Sequence, residues 1–418
     1  MTALLESIQT AYTDIAASKT ALDQAVAIGL PGPRSEQWKY TSLRALSARR
    51  FTAPDQTLAL LDTETLKTIA AIPAPRMVFV NGVFDSENSV LSDLPDGLSI
   101  QSDSARTADE DSRFAAAHEI FAKLNTAIAS KGMQIKLSNA TSDPIRLHAV
   151  FVSLNSGHDL AIAYRHSIVL GENAKLDLIE HHISQDAHQH LSNHLCDIAL
   201  HDGAKLTHAR IQQDDAGASQ FLRTEASLQK DASYRRLDLE LGAHLSRHDL
   251  QVKLLGDGAA VHANGSLIAG GRRHVDTRLD IQHVAQNTAC NLLWRGLATE
   301  RGRAVFHGGI LIEKGADGTA AHLSNKNLLL SDNAEIDTQP VLVIHADEVT
   351  ASHGATVGRL DAGHLFYLRA RGIPEAQAKA MLTNAFCKET LQVLANDELV
   401  GLVAPHLEKM LQSIEVQV

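Results

Sequence analysis

The sequence predicts a mainly β protein with helical ends, a β-solenoid body held between two helical segments. Three observations predict it. Apolar residues recur at steps of three and four near both termini, they alternate at steps of two through the middle, and short Gly/Asn/Asp turn signals punctuate that alternation. The chain divides accordingly into 1–132, mainly helical; 133–360, strands; and 361–418, helical again.

In the first segment the clearest helix begins at Asp111, a candidate cap, with Phe114, Ala117, Phe121, Leu124 and Ile128 along one face. Upstream, the two prolines of Leu30-Pro-Gly-Pro-Arg34 fix their backbone angles and remove two donors, which makes a loop. It leads into Glu36-Gln-Trp-Lys-Tyr-Thr41, an aromatic anchor.

From Met133 the pairs Leu176/Leu178, Leu250/Val252/Leu254 and Leu279/Ile281, with Leu237/Leu239/Leu241, alternate with polar residues, as strands with one buried face do. Turn signals separate them at Gly171-Glu-Asn-Ala, His201-Asp-Gly-Ala, Gly256-Asp-Gly-Ala, Lys314-Gly-Ala-Asp, Ser331-Asp-Asn-Ala and Ala346-Asp-Glu. The last three, some 15 to 18 residues apart, suit successive coils of a solenoid. A β-sandwich also produces short alternating strands, and periodicity alone leaves it open. After Asp361, Pro374 suits a first helical turn, and Ala378, Met381, Leu382 and Ala385 form one apolar stripe.

Composition narrows function. With 38 Lys and Arg against 49 Asp and Glu, the net charge of −11 argues against nucleic acid or anionic lipid as partners. No apolar run reaches the length of a membrane helix and the first residues lack a signal-peptide pattern, so a cytoplasmic protein is expected. Cys196, Cys290 and Cys387 lie far apart without CxxC spacing, against a disulfide framework or a self-contained zinc or iron–sulfur site.

Candidate chemistry is sparse. The five imidazoles of His181 to His194 could bind metal, but among 22 histidines a polar turn between strands is the plainer account. Gly270-Gly-Arg-Arg fits a tight turn, with Arg272, Arg273, Arg278 and Arg295 on a solvated face. There is no GxSxG, HExxH or phosphate-binding Gly loop. In Asp347 to Gly358, His353 stands near Asp347 and Glu348 and could bind metal or move protons; equally, Gly354 and Gly358 could make turns with His353 in a structural hydrogen bond.

Asp347 to Gly358, followed by Leu365-Phe-Tyr-Leu-Arg-Ala-Arg-Gly-Ile373, resembles the C-terminal signature of the SufB/SufD family, scaffolds of iron–sulfur cluster assembly. Gly302-Arg-Ala-Val-Phe-His-Gly308, Leu323 to Ser331, Ile336-Asp-Thr-Gln-Pro340 and the Trp38 segment resemble it in the same order. The likeness is dense from Asp276 to Phe386 and thin from Gly132 to Leu241. SufB carries a cysteine in the segment matching Leu323 to Ser331, where Asn325 stands, and Glu-His-Glu-Ala where this chain has Ser352-His-Gly-Ala355; both differences place the resemblance on the SufD side.

The resemblance implies a right-handed parallel β-helix flanked by helical domains, and a non-catalytic scaffold paired with a SufB-like paralogue through a β-helix edge. It implies a SufC ATPase docked on the C-terminal helices, through a surface matching Leu365, Phe366, Tyr367, Arg371, Gly372 and Phe386. His353 matches the histidine that holds a nascent cluster at the junction, as its metal ligand, while Ala351 stands where some members have cysteine. No tightly bound cofactor is expected in the isolated chain; a flavin in the complex and a homodimer of the isolated chain are left open. A solenoid enzyme such as a polysaccharide lyase is the alternative, disfavoured by an aromatic content of 4%.

Overall fold

The computed structural model describes residues 1–32, 34–55, 57–92, 94–103 and 116–415. Its strands in chain order are β1 (Arg76–Val80), β2 (Val83–Phe84), β3 (Leu98–Asp103), β4 (Lys131–Leu137), β5 (Ile145–Ser153), β6 (Ala161–Leu170), β7 (Lys175–Ser184), β8 (Leu191–Leu200), β9 (Lys205–Gln213) and β10 (Ser219–Leu228). There follow β11 (Ser233–Glu240), β12 (Leu245–Leu254), β13 (Ala260–Ala269), β14 (His274–His283), β15 (Ala289–Ala298), β16 (Arg303–Ile312), β17 (Ala320–Leu329), β18 (Glu335–Ile344) and β19 (Thr350–Gly358).

Odd strands from β5 to β19 form one sheet and even strands from β4 to β18 the other, each strand pairing in parallel with the second strand before and after it. This is a two-sheet solenoid; a sandwich would need antiparallel neighbours. Ala260 pairs Ala289, Ala289 pairs Ala320 and Ala320 pairs Thr350, so one coil takes 29, 31 and then 30 residues. The 15- to 18-residue spacing is therefore half a coil, one turn on each side of the flattened tube. Strands also begin earlier than Met133: β1, β2 and β3 lie inside the span expected to be mainly helical, and β2 and β3 pair antiparallel. The helix there runs Ile120–Ile128 with Phe121, Leu124 and Ile128 buried; Asp111 and Phe114 lie outside the described residues.

Once per coil, along one edge, the backbone turns through a left-handed residue: Asn173, Gly203, Asp231, Gly258, Asn287 and Gly318. A β-carbon at Gly203 or Gly318 would come within 2.3 Å of the Oδ1 of the asparagine stacked on it, Asn173 or Asn287, so the stack needs glycine there. The residue after each of the six, Ala174, Ala204, Ala232, Ala259, Thr288 or Thr319, is buried.

The apolar core fills the tube from Met77 to Leu323. One expectation is inverted. Leu237, Leu239 and Leu241 point out of the tube, under the helix Asp397–Glu415, while the alternate residues of β11, Arg236, Asp238 and Glu240, are wholly buried inside it. The outer leucines are buried because a helix covers them, so alternation marks a two-sided burial here. On the other sheet, the Trp38 segment is the anchor expected of it: the indole lies 3.9 Å under the Arg247 guanidinium and packs against Phe121 and Phe221, and Thr41 Oγ1 donates to Asp276 Oδ2.

Along the solenoid, burial lowers the His166 imidazole to about 4 and holds His181 and His194 well below the ordinary value. Unfolded, these rings titrate near 6.5, so below that value the unfolded chain binds more protons than the folded one and stability falls with pH. His166 alone should remove about 2 kcal/mol between about pH 7 and about pH 5. Chemical denaturation across that range is expected to show a falling midpoint; an unchanged midpoint would contradict neutral buried histidines.

Candidate functional site

The coil ladder ends at β18 and β19, the last strands of their sheets. Neither strand has a buried residue, β19 being largely exposed and β18 mostly half-buried, and Val343, Ile344 and Val357 are 40–43% exposed. Pro340, which has no amide to donate, sits in β18, as suits an edge strand. The open end thus offers unpaired backbone and apolar side chains together.

His353 lies in β19 in register with Leu323, whose side chain is in the core. Register keeps facing residues on one side of a sheet, so His353 belongs to the inward rank, one layer past the last closed coil. It is exposed and, among the described residues, makes no hydrogen bond or ion pair, including with Asp347 or Glu348. Beside it His322 Nδ1 lies 2.8 Å from Ser352 Oγ. Gly354 and Gly358 sit within the strand with open space where a β-carbon would go, so neither is required for a turn.

The layer beneath is polar. Asn325 is buried and its Oδ1 accepts from Thr338 Oγ1 at 2.7 Å and from Asn327 Nδ2 at 2.6 Å; that same Nδ2 donates to Thr356 O at 3.0 Å. Two strands of one sheet and one of the other are thus pinned immediately behind the rank of His353.

Beyond β19 the helix Ala362–Ala370 buries no residue and leaves Phe366 73% and Tyr367 54% exposed. Arg371 stacks 4.5 Å over Tyr367, and the helix ends at Gly372, whose φ of +81° favours glycine. Leu365 is half-buried over a cavity of about 430 Å³, which Leu297, Leu330, Leu411 and Ile414 also line. Phe386 packs against the outer apolar layer of the solenoid wall, 5.6 Å from Arg295. The next helix, Glu375–Lys388, buries Ala378, Thr383 and Cys387, while Met381 and Ala385 of the expected stripe face outward.

Two other readings change. Arg295 is buried and bonds Glu389 at 2.7 Å, and Arg273 donates to Leu241 O of the wall and to Met410 Sδ at 3.6 Å; these two hold the C-terminal helices and are not a solvated face. The histidines from 181 to 194 are buried side chains of β7, β8 and the connection between them. His181 points outward, 3.1 Å from His148 Nδ1, while His182 and His194 point inward, so they do not converge on one ion. Burial also pushes the Cys290 and Cys387 thiols up to about 12, which leaves them inert. The charged interior of β9 to β12 had a sequence signal that was passed over: Arg236, Asp238 and Glu240 alternate as regularly as the leucines between them.

Among the described residues, no helix is long and apolar enough to cross a membrane. Residues 152–386 match the model of the SufBD core domain of the SUF system for FeS cluster assembly. An iron–sulfur cluster assembly SufBD family protein of Synechocystis is 31% identical over 91% of this chain and 87% of its own. The iron–sulfur cluster assembly protein SufD of Escherichia coli is 30% identical over 90% and 88%. A SufBD family protein of Mycobacterium tuberculosis is 30% identical over 52% and 57%. A two-sheet solenoid, an open end bearing His353 and full-length likeness to SufD agree: the chain belongs to the SufBD family of the SUF system, on its SufD side.

Proposed function

We propose that this chain is a non-catalytic scaffold subunit for building iron–sulfur clusters in the cytoplasm, and that its open end is where the work is done. The observation that carries the reading is the terminal coil, where unpaired strands, exposed apolar residues and an unpartnered imidazole coincide. A sister solenoid of SufB type would continue the ladder across β18 and β19, satisfying amides and carbonyls that otherwise face water. A homodimer of the isolated chain would use the same edge.

At that junction the His353 ring would bring an imidazole nitrogen, a donor suited to iron, as one ligand of a nascent cluster that is cargo and not a resident group. Asn325 cannot supply a thiolate, so sulfur ligands would come from the partner. The exposed face of Ala362–Ala370, with Phe366 and Tyr367 at its centre, fits a docking surface for a SufC-type ATPase; aromatic side chains anchor such contacts. Phe386 would act indirectly, by holding the helices on Arg295. A flavin, where one binds, would belong to the assembled complex.

His353 is exposed and unbonded, so His353→Ala should change stability by less than about 0.5 kcal/mol. In co-purification with the paralogue and the ATPase, the expected outcome is an intact complex with reduced iron and sulfide; unchanged iron removes His353 from the mechanism. Phe366→Ala with Tyr367→Ala should release the ATPase and leave the paralogue bound, read by size exclusion. Retention of the ATPase would move its docking site elsewhere, and cleavage of uronate polymers by the chain alone would overturn the scaffold reading.

A further inference from the structure

Midway along the tube three buried side chains face one another: Asp238 and Glu240 from β11 and His248 from β12. Their ligating atoms all lie within 4.8 Å of one another. His248 Nε2 is 3.2 Å from Thr224 Oγ1, while Nδ1 has no hydrogen-bond partner and lies 3.5 Å from Asp238 Oδ2. In the tautomer in which Nε2 donates to Thr224, Nδ1 presents its lone pair to a carboxylate oxygen, and a cation between these two acceptors would satisfy both.

The surroundings fit a ligand shell. A divalent ion bound at about 2.1 Å to two atoms 3.5 Å apart subtends about 113°, close to tetrahedral. The carboxylates are held from behind. Arg236 donates to Asp238 at 2.7 and 3.0 Å, Arg210 to Asp238 at 3.2 Å and also to Glu240, and Ser246 Oγ to Glu240 Oε2 at 2.7 Å. Ligating carboxylates and imidazoles are ordinarily oriented by such outer partners.

We propose that Asp238, Glu240 and His248 form an interior site for a borderline divalent cation such as zinc, cobalt or ferrous iron. The set is two oxygens and one nitrogen with no thiolate, which suits these ions over copper(I). The site is enclosed, so the ion would enter as the chain folds and exchange slowly. It lies several coils from His353 and does not depend on the scaffold reading.

The full chain expressed in cobalt-supplemented medium and desalted is expected to retain about one equivalent that chelator removes only on unfolding. Crystals of it should show anomalous scattering at the cobalt edge between Asp238, Glu240 and His248. Thr224→Val, which changes shape little, should weaken retention about 10- to 100-fold, and His248→Gln should abolish it. Cobalt absent from that point, or held equally by a folded His248→Gln protein, overturns the proposal.

Discussion

Each coil of the solenoid has its backbone hydrogen bonds completed by the coil before and the coil after, and that ladder must stop at both ends. Within the tube the constraint is strict: paired residues repeat every 29 to 32 positions over β13 to β19, and a slip of one would turn core side chains to solvent. The left-handed turn residue once per coil serves the same register. Asparagine or aspartate alternates with glycine along that edge, since an asparagine amide fills the space a β-carbon would need in the next turn.

The C-terminal helices follow from the same arithmetic of faces. Because β9 and β11 bury charge inside and carry Ile211, Leu237, Leu239 and Leu241 outside, a second apolar layer is needed, and Leu399, Val403, Leu407 and Leu411 of Asp397–Glu415 provide it. Arg146 with Glu398, and Arg295 with Glu389, tie those helices to coils far apart along the tube. The helix Ala362–Ala370 is outside this clamp and stays free to hold something else.

Much of the fold was legible in the sequence, for reasons that particular residues show. Alternation revealed the strands, and Trp38 revealed the anchor, because each signal is local. The coil length was misread because turns occur on both edges, so counting every turn halves the repeat; a search for Asn, Asp or Gly followed by a buried Ala or Thr, as at Asn173-Ala174 and Gly318-Thr319, finds the full period. The charged interior showed its alternation but not its burial, and the burial of the histidines from 181 to 194 was hidden too, since the partners come from coils some thirty residues away, as Arg210 with Asp238 and Glu240 does. His353 stood out beside Asp347 and Glu348, and the role proposed for it comes from resemblance; what the sequence could not convey is that its strand is the last.

The two ends differ, and the difference constrains assembly. At the first end the antiparallel strands β2 and β3 interrupt the parallel ladder: β2 lies outside β1 in one sheet and β3 outside β4 in the other. Reversing direction breaks the register that a further coil would have to follow. At the other end β18 and β19 run parallel and in register to the edge. A solenoid open at both ends would propagate head to tail into fibres, as unclosed heterologous contacts do. With one end blocked, the open end can meet one other open end and no more, so the proposed pairing would terminate itself, and a ligand of His353 would be enclosed between two solenoids.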